Sequence, residues 1–199
     1  METGDVALKE WAAIEDALAS GRLSVLVRKG GIHEKRGGFE VEHRGFWIFP
    51  TGWHQNEHEL SPAFRGHLGD TPRFAPDTIP LRVWCAVEDA WRVEDLDALK
   101  RLADLQPFTD ETLESRFEYR GKPYLHVVLV RAHVLAEPRA IPNTAAYEGC
   151  VSWLKLDEPV SAAPAFPALP DAPFAALRRE VLARLGDAAA SPIPRRDGE

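Results

Sequence analysis

Residues 124–135, Tyr-Leu-His-Val-Val-Leu-Val-Arg-Ala-His-Val-Leu, constrain the fold more than any other stretch. The run is nearly continuous in Val and Leu, residues that suit a pleated surface. A strand apolar at almost every position needs cover on both faces, whereas a half-buried strand alternates. The chain must therefore build a sheet with packed material on either side. Leu81–Trp91 offers a second strand, with Leu81, Val83, Cys85 and Val87 on one face and Arg82, Trp84, Ala86 and Glu88 on the other. The spacing of Leu96, Leu99 and Leu102 predicts a helix over Glu94–Leu105, and Thr109 caps a second short helix through Phe117.

Leu8, Trp11, Ile14 and Leu18 recur at spacings of three and four, which predicts a helix over Val6–Ser20, capped by Asp5 and ended by Gly21. Leu23–Lys29 reads as a strand, as do Phe39–His43, Phe46–Phe49 and Cys150–Leu156. Gly30-Gly31 and Gly37-Gly38 mark turns, and residues 50–80 read as loop with at most a short helix. Strands and helices alternate too irregularly for a doubly wound parallel sheet. The fold class expected is α+β: a small mixed or antiparallel sheet, curled or closed into a β-barrel, with helices around it. Residues 1–156 form the expected domain. The Ala/Pro-rich residues 157–173 read as a linker or a surface-hugging extended segment. Phe174, Leu177, Val181 and Leu185 predict an amphipathic helix over 174–187, and residues 188–199 are expected to be disordered.

The net charge of −7 argues against non-specific nucleic-acid binding, which rests on neutralising phosphates. Locally the balance differs: residues 22–44 carry six basic side chains against three acidic ones, while residues 86–118 are acidic. Such a distribution fits an anionic ligand near the glycine turn, and fits a solvated loop as well. Cys85 and Cys150 lie in apolar surroundings without metal-site spacing and read as buried thiols. The acidic N-terminus lacks an apolar signal core, and no apolar run is long enough to span a membrane. A cytoplasmic location and no membrane partner are expected.

The hydrogen-bonding side chains concentrate in residues 23–55. Arg28 and Lys29 end a strand beside Gly30 and Gly31, where backbone amides can approach a phosphate or carboxylate. The alternative is a strand end with ordinary surface cations. Glu42, His43 and Arg44 are placed to bind or polarise a ligand, His43 as acid or base, or to form a structural cluster. His54 and His58 stand four apart, a metal-ligand spacing if the segment is helical, although Pro50 and Gly52 oppose a helix. Trp53 and Gln55 offer stacking and base-edge hydrogen bonds, or cover for the core. Arg131 sits on a strand face that points toward a barrel mouth, or it reaches solvent.

The phrases ALKEWAAIEDALASG, LVRKGGI, FWIFPTGWHQ and YEGCVSWLKL resemble the bacterial family known as domain of unknown function 1802. The resemblance covers roughly residues 7–156, leaves the Ala/Pro tail outside, and implies no activity. A helix ending in Ser20-Gly21-Arg22, then a strand ending in Arg28-Lys29, is also similar to the opening of ASCH domains in the PUA-like group. That likeness implies a small β-barrel of a kind that commonly binds RNA or modified bases. Val25–Val27 departs from the ASCH pattern, which places an acidic residue within the strand.

A Nudix hydrolase is excluded, because no REXXEE helix follows Gly52. Two function classes remain. One is a module that binds RNA, a nucleotide or a modified base through Arg28, Lys29, Trp53 and Gln55, without a cofactor. The other is a phosphodiesterase or nuclease dependent on a divalent metal, using Glu40, Glu42, His43 and His54.

Overall fold

The computed structural model describes residues 3–29, 34–35, 38–39, 43–52, 55–66, 77–149, 151–190 and 192–193. Nine strands and five α-helices follow one another in the described chain. They are β1 (Thr3–Trp11), α1 (Ala12–Ala19), β2 (Val25–Arg28), β3 (Glu34–Lys35), β4 (Gly38–Phe39), β5 (Gly45–Thr51) and α2 (Pro62–Arg65). Then come β6 (Thr78–Val93), α3 (Leu96–Lys100), α4 (Asp110–Glu118), β7 (Leu125–Pro142), β8 (Trp153–Ser161), β9 (Ala165–Pro167) and α5 (Asp171–Leu185).

One mixed sheet carries the fold, in the order β2-β7-β6-β5-β1-β8, with β9 paired to β7; β3 and β4 form a separate hairpin. The β1–β5 pair is parallel and the other pairs are antiparallel. In a flat sheet β2 and β1, four strand spacings apart, would lie about 19 Å from each other. Arg28 of β2 nevertheless pairs with Glu10 of β1, so the sheet curls strongly. Among the described residues it does not close, since its path ends at β2 and β8.

Both faces are buried, as the Val/Leu run of β7 requires. Leu8, Phe46, Ile48, Val83, Cys85 and Val87 join the main core with α1, α3, α4 and α5. Their neighbours Ala7, Trp47, Phe49 and Trp84 face a second cluster with Tyr147, Leu154 and Leu156. A register shift between Leu81 and Val83 moves Leu81 into the second cluster, away from the face it was expected to share with Val83 and Cys85.

The N-terminus departs from the sequence expectation. Thr3–Trp11 is a strand, and the helix begins only at Ala12. The helical spacing of Leu8, Trp11 and Ile14 yields to tertiary structure: β1 ladders with β5 on one side and β8 on the other, satisfying backbone groups that a helix would withdraw from both neighbours. The helix expected over Glu94–Leu105 is α-helical only at Leu96–Lys100, with Asp95 as its N-cap. Thr109 caps α4 by accepting a hydrogen bond from the Thr112 amide.

Residues 157–173 contribute the end of β8, then β9 against β7. α5 docks through Phe174, Val181 and Leu185. The start of the tail expected to be disordered also packs down. Ile193 is buried and its amide donates to the Ala90 carbonyl at 2.7 Å. No helix among the described residues is long and apolar enough to cross a membrane.

Candidate functional site

The ladder between β1 and β5 runs from Ala7–Trp47 to Trp11–Thr51. Toward their N-termini the two strands part. β1 continues against β8 at Thr3 and Gly4, while β5 continues against β6 at Gly45 and Phe46. The gap is a pocket of about 320 Å³, walled by residues 3–6 on one side and 43–45 on the other, with Trp84 of β6 beneath. That volume lies at the small end of the range for ligand sites.

Trp84 is almost wholly buried and meets Trp47 edge-on, with centroids 5.3 Å apart. Two glycines let the backbone lie against its indole. A Cβ on Gly4 would stand 2.3 Å from Cη2, and one on Gly45 would stand 2.4 Å from Cζ2. Across the gap, the His43 ring lies 5.3 Å from that of Trp153, which packs edge-on against Phe46. The Arg44 side chain is exposed, while its carbonyl accepts from the Val87 amide at 2.7 Å. Asp5 lies 3.7 Å from the ammonium of Lys155. The pocket thus combines an imidazole and a guanidinium with one carboxylate, over an aromatic floor.

The other candidates from the sequence lie elsewhere. Arg28 forms an ion pair with Glu10, both largely buried, and its Nε–H is buried without a hydrogen-bond partner. The Lys29 ammonium donates to the carbonyls of Phe117 (2.6 Å), Tyr124 (3.0 Å) and Lys122. Gln55 accepts the Ala13 amide at 3.1 Å and so serves the first turn of α1. Arg131 pairs with Asp171. His58 is exposed in the 3-10 turn Glu57–Glu59. Gly30, Gly31, Glu40, Glu42, Trp53 and His54 lie outside the described residues.

Arg28 and His43 stand at opposite ends of β1. Arg28 reaches Glu10, and the pocket surrounds Thr3–Val6. Val6 and Glu10 are separated by about 13 Å of strand. Among the described residues no group of three His, Cys, Asp or Glu side chains is arranged to hold a metal.

Glu15 of α1 was hidden in the sequence as an ordinary helix polar residue, yet it is only 5% exposed. Burial raises its pKa from 4.5 to about 7; Arg82 opposes the rise and Asp16 adds to it. The Arg82 guanidinium stands 3.6 Å from the Glu15 carboxylate and 3.4 Å from Asp16. Arg82 emerges at the register shift of β6 and ties that strand to α1. Burial likewise pushes the Cys85 thiol up, far from the thiolate that a nucleophile requires.

No curated protein matches the chain. Among solved structures it is similar to the crystal structure of ASCH from Zymomonas mobilis, at 15% identity over 77% of this chain and 87% of that chain, with a TM-score of 0.46. Two single-residue mutants of that protein give comparable values. One has 15% identity, coverages of 77% and 90%, and a TM-score of 0.45. The other has 14% identity, coverages of 77% and 88%, and a TM-score of 0.46. The model of the family described as a domain of unknown function matches residues 7–180, through β9 and into α5, and the chain belongs to that family, DUF1802.

Proposed function

We propose that this protein is a binding module for a nucleotide or modified base, free or carried in RNA, and that the pocket between the parted strands receives it. One observation carries the reading: β1 and β5 separate below Ala7 and Trp47, and the gap is bordered by His43 and Arg44 above Trp84. The strand edges that part there carry amide and carbonyl groups able to pair with the edge of a base. Arg44 supplies a guanidinium suited to phosphate, with His43 beside it. Arg28 and Lys29 take no part in this reading, since they lie at the Glu10 end of β1, away from the pocket.

Isothermal titration with nucleoside monophosphates tests the proposal. Arg44→Ala is expected to weaken binding about tenfold or more, as loss of a charge-assisted contact does, and to leave the melting temperature within about 2 °C. Absence of heat with every nucleotide, or unchanged affinity in the variant, would refute it.

A further inference from the structure

At the far end of the sheet, the turn after α4 has no role in the pocket. Tyr119, Arg120, Gly121 and Lys122 are all exposed, and Tyr119 presents 53% of its surface, one of the largest exposures of any big apolar side chain described. Arg120 adopts φ 60° and ψ 26°, a left-handed conformation uncommon for a residue with a Cβ, and Gly121 follows at φ 64°. The Arg120 guanidinium lies 5.1 Å from the Tyr119 ring. The left-handed residue directly after the C-cap Tyr119 ends α4 and sets the Arg120 guanidinium against the exposed ring.

The turn is fixed from behind. Lys29 at the end of β2 donates to Phe117, Lys122 and Tyr124 carbonyls, closing the C-terminus of α4 and clamping both ends of the turn. The Tyr124 ring carries two cations, with Lys29 at 4.7 Å and Arg92 at 4.1 Å. Desolvation draws the Lys29 pKa below its ordinary value, with Lys122 and Arg92 adding to the effect and Glu118 opposing it. Four cations therefore gather here (Lys29, Arg92, Arg120 and Lys122) against Glu118 and Glu94, the latter held by Arg92 at 2.7 Å. The local excess is positive in a chain of net charge −7.

We propose that the Tyr119–Lys122 turn docks a single strand of nucleic acid, with Tyr119 stacking on a base and Arg120 and Lys122 meeting the flanking phosphates. An exposed ring between cations is the arrangement that single strands recognise, because every base has a flat face and every linkage a charge. Charge complementarity favours a polyanion, and the exposed Tyr119 ring favours one whose repeating units carry flat faces, a nucleic acid over an acidic peptide. The site is separate from the pocket: Lys29 and Arg28 lie at the Glu10 end of β1, and the pocket at the Thr3 end.

Fluorescence anisotropy with labelled oligouridine and oligothymidine of about twelve nucleotides, at about 50 mM salt, tests the inference on the full chain. Binding of the wild type is expected to weaken at least about fivefold in Tyr119→Ala. The paired change Arg120→Ala with Lys122→Ala is expected to lower the slope of log affinity against log salt by about 1.4, the value for two phosphate contacts on a single strand. Stronger binding of oligouridine identifies RNA as the strand, and equal binding identifies any single strand. No binding to either oligomer overturns the proposal, and so does Tyr119→Ala with unchanged affinity, which would leave only diffuse charge. Mononucleotide titration reports on the pocket separately, so each reading fails on its own measurement.

Discussion

Replacing Glu15 with Gln is expected to change how stability depends on pH. The carboxyl is 5% exposed, and its pKa lies near 7 in the folded chain, against 4.5 without that environment. The folded state therefore holds the proton more tightly than the unfolded one. The stability that this group contributes is greatest below about pH 4.5, falls as pH rises toward 7 and is level above that. At about 1.4 kcal/mol for each tenfold difference in proton affinity, the loss across this window is about 3 kcal/mol. Arg82 does not prevent the loss, because its guanidinium stands 3.6 Å away and is itself partly in water. Glu15→Gln removes the ionisation and keeps the shape. Its amide has a burial cost of its own, but that cost does not vary with pH. The informative quantity is thus the stability of the variant relative to wild type, measured by urea unfolding at intervals from pH 4 to pH 8. This difference should swing toward the variant by about 3 kcal/mol between the two ends, which for a chain of this size is about 6–12 °C in melting temperature. A difference that stays flat with pH, or that moves against the variant above pH 7, would refute the reasoning and make the Glu15–Arg82 pair a net source of stability.

Two further expectations concern residues whose roles the structure revises. Arg28→Ala leaves the largely buried Glu10 without its guanidinium, so unfolding free energy should fall by about 2 kcal/mol while mononucleotide affinity stays the same. Weaker nucleotide binding at unchanged stability would instead make Arg28 a ligand contact. Deleting residues 191–199 removes Ile193, which is 6% exposed and bonded through its amide to Ala90. Burial of an Ile side chain is worth about 2 kcal/mol, so the melting temperature should drop by about 4–8 °C, and an unchanged value would show that the contact contributes nothing.

Elements fixed by local pattern were legible in the sequence. The Val/Leu run of β7 called for burial on both faces, and successive residues from Leu125 to Val130 are all buried, most of them in the main core, with Leu135 reaching the second cluster. Thr109 marked the start of α4, and the apolar stripe of α5 marked a helix with a face to bury. The motif phrases spread over residues 7–156 also carried the family resemblance, although the match extends to residue 180 rather than stopping before the Ala/Pro segment. β1 was illegible because its evidence is not local. Leu8, Trp11 and Ile14 satisfy a helical period, and only the ladders with Phe49 and Trp153, far along the chain, favour the strand. β9 was hidden for the same reason, since three residues of Ala-Phe-Pro carry no strand signal until β7 offers them an edge.

The same distinction explains what could be read of the sites. A charged residue announces its chemistry in sequence but not its partner. Arg28 looked available because Glu10 stands 18 positions upstream in what read as a helix face; once that segment is a strand, alternation turns Glu10 inward with Leu8 and across the curl to meet Arg28. Glu15 looked solvated for the converse reason, because α1 starts later than expected and presents both Ile14 and Glu15 to buried surroundings. His43 and Arg44 were visible as a pair, yet the pocket they border depends on Gly4, Gly45 and Trp84, three residues without chemical signature. Their contribution is geometric: a Cβ at either glycine would strike the indole, so the two parted strands can lie over Trp84 only because those positions are glycine. A pocket made by where two strands stop pairing has no motif, and it becomes visible only when the register of β1 against β5 is known.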